Sequence, residues 1–408
     1  MSKHVEQLLD QMSLAEQVSL LAGRNMWNTV PNDRIGLEKM RVSDGPGGVR
    51  GSKFDGPASM NVPCGTAIAA SWDTALVRDI GELLGREVVA KGARVHLAPT
   101  INLHRTPVGG RNFECMSEDP YLTAITAREY VLGVQSQGVA SCIKHFVGND
   151  TEFERMTIDS QIDERTLREM YLLPFEHAVR DAQVMSIMTS YNRINGPYAA
   201  DSTWLLRDVL RGEWKFDGMV VSDWFGLHST VEGVVAGLDL EMPGPTLHRG
   251  DALVAAVERG EVSADLVRDC ARNILNLMER TGGTGVPPGP EISRTDADDL
   301  ATLRRASSSA MVLLRNESIG GTPVLPLDVR GLTSIAVLGP NASRGMVQGG
   351  GSAHVTPTRV SHPLDAITDR LGSSVRIEHS AGCNINKKLP ELDARLLQNV
   401  SLDYYRDP

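Results

Sequence analysis

The sequence is short of three features: long hydrophobic runs, positive charge and cysteine. No stretch approaches the roughly 20 consecutive apolar residues that a membrane helix needs, so we expect no membrane partner. The 408 residues carry 41 Lys and Arg against 51 Asp and Glu, a formal net charge of −10. Because nucleic-acid phosphates attract basic surfaces, this acidic balance argues against a nucleic-acid partner. Residues 1–21 alternate charged and apolar side chains without a small-residue cleavage site, which predicts a chain without a signal peptide.

The cysteines are odd in number, and no two of them stand at the short spacing of metal ligands. The five are Cys64, Cys115, Cys142, Cys270 and Cys383. Scattered cysteines of this kind are typical of free thiols in a reducing compartment. The sequence therefore predicts a cytoplasmic protein with no metal site.

Several common catalytic and cofactor motifs are also missing. The sequence has no phosphate-binding glycine loop followed by Lys and Ser or Thr, and no HExxH zinc helix. It has no Gly-x-Ser-x-Gly segment, so serine hydrolase chemistry has no local support. The glycine run at 349–352 lacks the spacing and the strand–helix context of a dinucleotide fingerprint. None of these patterns therefore indicates a bound cofactor.

The sequence does contain a large apolar fraction, arranged in alternating short and long segments. Hydrophobic residues make up 41% and charged residues 23% of the chain, enough to fill a large core. Short β-rich runs at 94–98, 140–146, 184–190 and 218–222 alternate with helical patterns at 122–137, 164–182, 202–212 and 229–236. This alternation predicts an α/β fold, a TIM-like (β/α)8 barrel over residues 1–280. A doubly wound open sheet gives a similar periodicity and is the alternative.

A second region follows the predicted barrel. The segment TGGTGVPPGP at 281–290 has the composition of a linker, which we place at residues 281–295. Beyond it, the pattern predicts a helix over 296–311 and strands at 335–338 and 375–378. Residues 296–408 therefore predict a second, incomplete α/β unit.

Chemically able side chains follow several of the apolar runs. Asp223 and Trp224 come directly after the run at 218–222, and Lys144 and His145 end another run. Because catalytic groups of a (β/α) barrel lie at the carboxyl ends of its strands, this placement fits an enzyme. Asp223 is the leading catalytic candidate, although capping of the following helix explains this segment equally well. Trp224 would form an apolar wall or pack in the core.

Further polar side chains lie on loops that should share one face. A buried lysine needs an anion or hydroxyl groups, which disfavours a purely packing role for Lys144, whereas His145 alone favours a structural histidine. Asp44 lies in a tight Gly- and Pro-rich loop, where an Asx turn is the alternative. The loops at 107–114 and 149–155 add arginine and carboxylate groups. Such a face is rich in hydroxyl-binding groups, as a sugar site needs.

Eight short segments stand in a distinctive order along nearly the whole chain. They are SDGP at 43–46, GGRNFE at 109–114, SEDP at 117–120, KHF at 144–146, DERTLRE at 163–169, SYN at 190–192, VSDW at 221–224 and GGGS at 349–352. In this order they resemble glycoside hydrolase family 3, specifically its β-glucosidase branch. The resemblance implies a TIM-like barrel followed by an α/β-sandwich domain, here residues 296–408 and incomplete.

The resemblance also implies an activity and roles for individual residues. The activity is that of a retaining, exo-acting β-glycosidase, foremost a β-glucosidase that releases terminal β-D-glucosyl residues from a small β-glucoside or oligosaccharide without a cofactor. Asp223 matches the aspartate that forms the covalent glycosyl-enzyme. The positions that match the family's sugar-binding residues are Asp44, Arg111, Lys144, His145, Arg155 and Tyr191, with Trp224 bordering the sugar. A β-xylosidase or another exo-glycosidase is the alternative within the family.

The chain departs from the family pattern in two places. The loop at 146–151 has no second histidine, which disfavours an N-acetylhexosaminidase. The β-glucosidase branch carries its acid/base glutamate in the second domain, and none of Glu317, Glu378 and Glu391 lies in the matching context. We assign no acid/base residue, so a catalytically incomplete fragment or a sugar-binding module is the alternative. A missing C-terminal portion or a homo-oligomer would complete such a site.

Overall fold

The computed structural model describes residues 2–385, which form two units of internal contacts. Within these residues, the first unit runs to Arg315 and also includes Gln348–Arg359, and the second comprises Asn316–Val347 together with residues 360–385. Glu391, one of the glutamates considered above, lies outside the described residues. No helix within residues 2–385 combines the length and the apolar composition needed to cross a membrane.

Helices and short strands alternate along the described chain. The helices are α1 (Lys3–Gln11), α2 (Leu14–Leu20), α3 (Gly65–Ala70), α4 (Thr74–Ala90), α5 (Pro120–Gln135), α6 (Glu164–Thr166), α7 (Leu173–Arg180), α8 (Val231–Ala236), α9 (Asp251–Glu258), α10 (Ala264–Arg280), α11 (Ala297–Ser309) and α12 (Pro363–Leu371). The strands are β1 (Val42–Asp44), β2 (Val95–Leu97), β3 (Ala140–Phe146), β4 (Asp159–Ser160), β5 (Ser186–Thr189), β6 (Arg193–Ile194), β7 (Met219–Val221), β8 (Ser318–Ile319), β9 (Thr322–Pro323), β10 (Ser334–Leu338) and β11 (Arg376–Ser380). Two further helical segments, Leu167–Tyr171 and Trp204–Glu213, have π-helical hydrogen bonding. The strand runs predicted from the sequence all contain or overlap an observed strand.

The first unit is built on a five-stranded parallel sheet with the order β1-β2-β3-β5-β7. Each strand is followed by helical segments before the next strand begins, so every connection returns to the same end of the sheet. Two isolated parallel bridges, Val221 with Leu240 and Ala22 with Glu241, continue the pairing beyond β7. The predicted α/β fold with a parallel sheet is therefore confirmed.

Both faces of this sheet are buried, as a parallel sheet covered by crossover helices requires. Neighbouring strand residues alternate between two apolar clusters because side chains point to opposite faces in turn. Ile143, for example, packs in one cluster with residues of α4, α5 and α7, whereas Cys142 packs in the other with residues of α1, α2 and α10. This double burial leaves the strand ends as the place where polar side chains can emerge.

The segment predicted as a linker lies against the first unit. Both the amide and the hydroxyl of Ser52 donate to the Glu291 carboxylate, and the amide of Ile292 donates to the carbonyl of Ala90. The helix predicted over 296–311 is α11, and its Asp299 accepts a 2.6 Å hydrogen bond from Arg86 on α4. These contacts join residues 289–309 to the helical layer of the first unit.

The second unit contains a two-stranded parallel sheet of β10 and β11, in the register Ser334 with Arg376 through Leu338 with Ser380. Helix α12 lies between the two strands in the sequence. The strands predicted at 335–338 and 375–378 both overlap this pair, whereas α12 was not predicted from the sequence. Glu378, considered above as an acid/base, lies on β11 beside Arg376 at 3.5 Å and is exposed.

Candidate active site

The predicted site residues meet at the carboxyl ends of the parallel strands. Asp44 is the last residue of β1, Lys144 and His145 lie near the end of β3, and Asp223 follows β7 by two residues. Tyr191 follows β5 by two residues. Because parallel strands end at the same edge, these side chains converge there. We call this group, with Arg111, Arg155 and Trp224, the strand-end cluster.

Lys144 and Asp44 form a buried ion pair. The Lys144 ammonium donates to Asp44 Oδ1 at 2.7 Å, and the amide of Gly45 donates to the same oxygen at 2.8 Å. Burial alone would raise the pKa of Asp44, but the positive charges of Lys144 and Arg50 hold it below its ordinary value. Asp44 is therefore an anion, and the lysine is neither a packing side chain nor exposed to bulk water.

The two carboxylate oxygens of Asp223 differ in their hydrogen bonding. Its Oδ1 accepts a 2.7 Å hydrogen bond from the amide of Trp224. Its Oδ2 is buried and has no hydrogen-bond partner within residues 2–385, with His145 Nε2 lying 3.5 Å away. Burial raises the pKa of this carboxyl, while the charges of Arg111 and Lys144 oppose that rise without cancelling it. Oδ2 is thus a buried acceptor placed among cations.

Arg111 is fixed beside Asp223 by a carboxylate of its own loop. Its Nε donates to Glu114 Oε1, and the hydroxyl of Thr100 donates to Glu114 Oε2 at 2.8 Å. Burial would lower the pKa of Arg111, but the negative charge of Glu114 raises it above its ordinary value. The guanidinium therefore stays charged in a buried position. The polar loop at 107–114 thus contributes one cation, Arg111, and the carboxylate that holds it, Glu114.

Arg155 reaches the cluster through Tyr191. Its guanidinium lies over the Tyr191 ring at 4.8 Å from the centroid and donates to Glu152 Oε2 at 2.7 Å. Burial, and then the negative charge of Asp223, raise the pKa of Tyr191 above its ordinary range. The phenol therefore stays protonated, and its hydroxyl faces the Asp223 carboxylate as a hydrogen-bond donor that opposes the rise in the pKa of Asp223.

Trp224 forms an aromatic wall beside Asp223. Its ring lies 5.5 Å from that of Trp27, and its indole N–H donates to the carbonyl of Met26 at 3.0 Å. The side chain also packs against the apolar cluster that includes Met188. Wall and packing roles, posed as alternatives from the sequence, coexist at this residue.

Sequence reasoning missed Arg50, which ends the same loop as Asp44. Its side chain is buried, lies over the ring of Trp27 at 4.6 Å from the centroid, and donates to the carbonyl of Ser352. Its Nε and Nη2 are buried without a hydrogen-bond partner within residues 2–385. The available signal was the arginine that closes the SDGPGGVR segment, because a buried arginine needs anions or hydroxyl groups.

The glycine run at 349–352 packs onto the same loops of the first unit. A Cβ atom at Gly349 would lie 2.3 Å from the ring of Phe113, so only glycine fits this approach. A backbone hydrogen bond adds to this packing, because the amide of Ser59 donates to the carbonyl of Thr356 at 2.8 Å. The segment Gln348–Arg359 is therefore part of the wall near Arg50.

No group of three or more His, Cys, Asp and Glu side chains in the described part of the chain is arranged to hold a metal ion. The five cysteines, which all lie within residues 2–385, are free thiols. Burial raises the pKa of Cys115, the thiol nearest the Arg111 loop, so it is protonated near neutral pH. The chemistry available at the strand ends is that of carboxylates, cations and a phenol.

The comparisons with known proteins agree with this geometry. Residues 2–277 match the Glycosyl hydrolase family 3 N terminal domain, and residues 311–401 match the Glycosyl hydrolase family 3 C-terminal domain. The chain belongs to glycosyl hydrolase family 3. The family named from the eight ordered segments is therefore confirmed.

Two family 3 relatives and two solved structures illustrate the similarity. A β-glucosidase from Rhizobium radiobacter is 49% identical over 386 residues, 94% of this chain and 47% of that protein. Probable β-glucosidase J from Aspergillus fumigatus is 44% identical over 396 residues, 96% of this chain and 45% of that protein. The β-glucosidase from Kluyveromyces marxianus in complex with glucose has a TM-score of 0.89 at 40% identity, covering 95% of this chain and 47% of that one. The structure of β-glucosidase 3B from Thermotoga neapolitana in complex with glucose has a TM-score of 0.83 at 33% identity, covering 92% of this chain and 55% of that one.

The chain spans about half the length of the curated relatives that it matches. Family membership and the arrangement of the strand-end cluster are therefore findings about this chain. Its activity and its substrate are proposals.

Proposed function

We propose that this chain is a retaining, exo-acting β-glucosidase in which Asp223 is the nucleophile. The observation that carries the proposal is the uncommitted, buried Oδ2 of Asp223, set among the positive charges of Arg111 and Lys144. Those charges favour the ionised carboxylate that a nucleophile needs, against the effect of burial. The four relatives and structures described above are named β-glucosidases or a probable β-glucosidase, which supports glucose as the sugar.

The strand-end cluster, together with Arg50, has the groups that a terminal sugar requires. Asp44 and the cations Arg50 and Lys144 can bind neighbouring hydroxyl groups, since hydrogen bonds to charged partners are the stronger ones. Arg50 has two buried nitrogens without partners, which favours a polar ligand at that place. Trp224 offers an apolar surface to the ring. The substrate we propose is a small β-glucoside or oligosaccharide, bound by its terminal residue.

The reaction follows from the position of Oδ2. This oxygen attacks the anomeric carbon, the bond to the leaving oxygen breaks with its electron pair on that oxygen, and a glycosyl ester of Asp223 forms. Water then attacks the same carbon and releases the carboxylate, so two inversions retain the configuration. A retaining mechanism also needs a second carboxyl about 5–5.5 Å from the first, which protonates the leaving oxygen in the first step and takes the proton of the attacking water in the second.

Three carboxylates of the strand-end cluster and its loops are paired with the cations of that cluster. Asp44 holds Lys144, Glu114 holds Arg111, and Glu152 holds Arg155. We assign the acid/base role to none of them. This observation favours a second candidate function, a sugar-binding protein that forms the glycosyl ester on Asp223 slowly or not at all.

We further propose that the parallel sheet closes into a TIM-like (β/α)8 barrel over residues 1–280. The bridges of Val221 with Leu240 and of Ala22 with Glu241 support closure, because they extend the pairing toward the segment that precedes β1. The boundaries at 281–295 and 296–408 stay predictions. We propose a cytoplasmic location, which the free thiols support. A homo-oligomer is the proposed means of completing the site.

A paired assay tests the proposed function. Release of a good leaving group from an aryl β-glucoside needs Asp223 alone, whereas hydrolysis of cellobiose also needs the acid, whose help is worth about 10²–10⁴-fold. Turnover of the aryl substrate that azide accelerates would support Asp223 as the nucleophile without an acid in place, and turnover of both would show that an acid is present. Glucose binding without either reaction would favour the second candidate.

A further inference from the structure

The side chain of Asn102, which the proposed mechanism does not use, forms hydrogen bonds with both the amide and the carbonyl of His145. Its amide nitrogen donates to the carbonyl of His145 at 3.0 Å, and its Oδ1 accepts from the amide of His145 at 2.8 Å. The same Oδ1 lies 3.2 Å from Nδ1 of the imidazole ring. Both residues are buried. Three polar contacts therefore join one side chain to one residue at the end of β3.

The two backbone contacts determine which way the amide of Asn102 points. A peptide N–H only donates and a peptide carbonyl only accepts, so the oxygen of the amide must face the N–H of His145. That places an acceptor against the ring nitrogen Nδ1. A neutral ring has one hydrogen to place, and we assign it to Nδ1, because the 3.2 Å contact there is within hydrogen-bond geometry whereas Nε2 only approaches Asp223 Oδ2 at 3.5 Å.

The other ring nitrogen of His145 is left as an acceptor. Burial lowers the pKa of His145 well below its ordinary value, and three neighbouring cations add to this effect. They are Arg111, Lys144 and Arg155. The ring is therefore neutral, with its lone pair on Nε2. Nε2 lies 3.5 Å from Oδ2 of Asp223, which is itself an acceptor without a partner within residues 2–385.

We propose that Asn102 is a positioning residue that holds His145 as the Nδ1–H tautomer, so that Nε2 accepts a hydrogen bond from a sugar hydroxyl and does not donate to Asp223. A donor at Nε2 would occupy Oδ2 and stabilise the carboxylate before attack. The tautomer thus keeps the reacting oxygen free while orienting the sugar beside it. This inference rests on the proposed role of Asp223.

The first test is the tautomer of His145 in the unmodified chain. Histidine labelled with ¹⁵N allows each ring nitrogen to be observed, and the His145 signals are those missing from His145→Gln. We expect Nδ1 protonated and Nε2 bare at pH 7. The opposite pattern, Nε2 protonated and Nδ1 bare, would overturn the proposal. Because this measurement needs no turnover, failure of the proposed function would appear separately, as the absence of a glycosyl adduct on Asp223.

The second test is Asn102→Asp, which keeps the acceptor and adds a negative charge beside Nδ1. The charge favours the imidazolium, so Nε2 gains a hydrogen and donates to Asp223. We expect glycosylation by an aryl β-glucoside to slow by about 10- to 100-fold, the cost of breaking one hydrogen bond to a charged group before attack. The rate should recover as the pH rises and the ring loses its proton. An unchanged rate and an unchanged pH profile would contradict the proposal.

Asn195→Asp is the matched control. The amide of Asn195 brackets Ile162 in the same way, accepting from its amide at 2.9 Å and donating to its carbonyl at 2.8 Å. No histidine ring takes part in that contact. The control should therefore leave the His145 signals and the pH profile of glycosylation unchanged. A control that shifted either would show that these readouts do not report on the contact with Nδ1.

Discussion

Asp44 and Asp223 lie at the ends of two strands of one sheet, yet burial and charge move their pKa values in opposite directions. At Asp44, the charges of Lys144 and Arg50 outweigh burial, and the pKa is lowered. At Asp223, burial outweighs the charges of Arg111 and Lys144, and the pKa is raised. A buried anion with direct cation contacts suits binding, whereas a carboxylate with a bare oxygen suits attack.

Removal of Lys144 should lower the stability of the fold, because it leaves the buried Asp44 carboxylate without its cation. Lys144→Met leaves the Asp44 carboxylate buried without its direct partner, and we expect the free energy of unfolding to fall by about 3–5 kcal/mol. Urea denaturation measures this. The double variant Lys144→Met with Asp44→Asn should regain part of the stability, because the buried charge is gone, but not the activity. Strictly additive losses would contradict the pairing.

Asp223→Asn should stabilise the folded chain while removing glycosylation. Because the pKa of Asp223 is raised in the folded chain, the neutral carboxyl stabilises the fold at low pH. This contribution to the free energy of unfolding is lost as the pH rises through the folded pKa and the buried group becomes charged. The neutral amide avoids that loss, so at pH 7 we expect a Tm about 2–4 °C higher, the shift for 1 kcal/mol in a domain of some 250 residues. The gain should shrink below the ordinary aspartate pKa of about 3.9. Asp217→Asn, at a carboxylate that is 84% exposed, is the control and should change neither.

At the scale of elements, hydrophobic periodicity was enough to predict four of the five strands of the parallel sheet, because a buried parallel sheet requires apolar runs. It did not predict β1, whose residues were read as part of a tight loop, nor the long helix α4. Family motifs indicated the cluster at the strand ends. Arg50 and Asn102 were missed because their partners are distant in the sequence: Arg50 contacts Ser352, 302 positions away, and Asn102 contacts His145, 43 positions away. Such pairings depend on tertiary structure that single-sequence patterns do not contain.

The β3 strand shows the same limit in its local geometry. Alternation along an ideal strand would send Lys144 and His145 to opposite faces. The structure instead has a register shift between Ile143 and Phe146, and both side chains reach carboxylates of the cluster. An irregularity of this kind changes the direction of side chains next to a site. No residue type in the segment allows it to be predicted from the sequence.

Gly349 offers a test of the segment that packs near Arg50. A methyl group at this position would meet the Phe113 ring, so Gly349→Ala should destabilise the packing of Gln348–Arg359 by about 1–3 kcal/mol. Hydrogen exchange in that segment should become faster. Adding Phe113→Ala opens the space and should restore slow exchange. An unaltered exchange rate in Gly349→Ala alone would show that the segment does not depend on this contact.

At the scale of the whole molecule, an apolar run after α11 is left exposed. Met311, Val312, Leu313 and Leu314 are 79%, 64%, 62% and 92% exposed. Consecutive exposed apolar residues favour association. We therefore expect the chain to self-associate with rising concentration in sedimentation velocity, and Val312→Lys with Leu314→Lys to reduce it. A chain that stays monomeric over the whole concentration range would contradict this expectation.

The most direct test of the account is covalent trapping of the nucleophile. A 2-deoxy-2-fluoro-β-glucoside with a good leaving group forms the glycosyl-enzyme but hydrolyses slowly, and formation needs no acid catalyst. We predict that mass spectrometry finds one fluoroglucosyl group per chain, on the peptide that contains Asp223, and none on Asp223→Asn. A label on another carboxylate, or an equal label on Asp223→Asn, would contradict the central claim that Asp223 Oδ2 is the attacking atom.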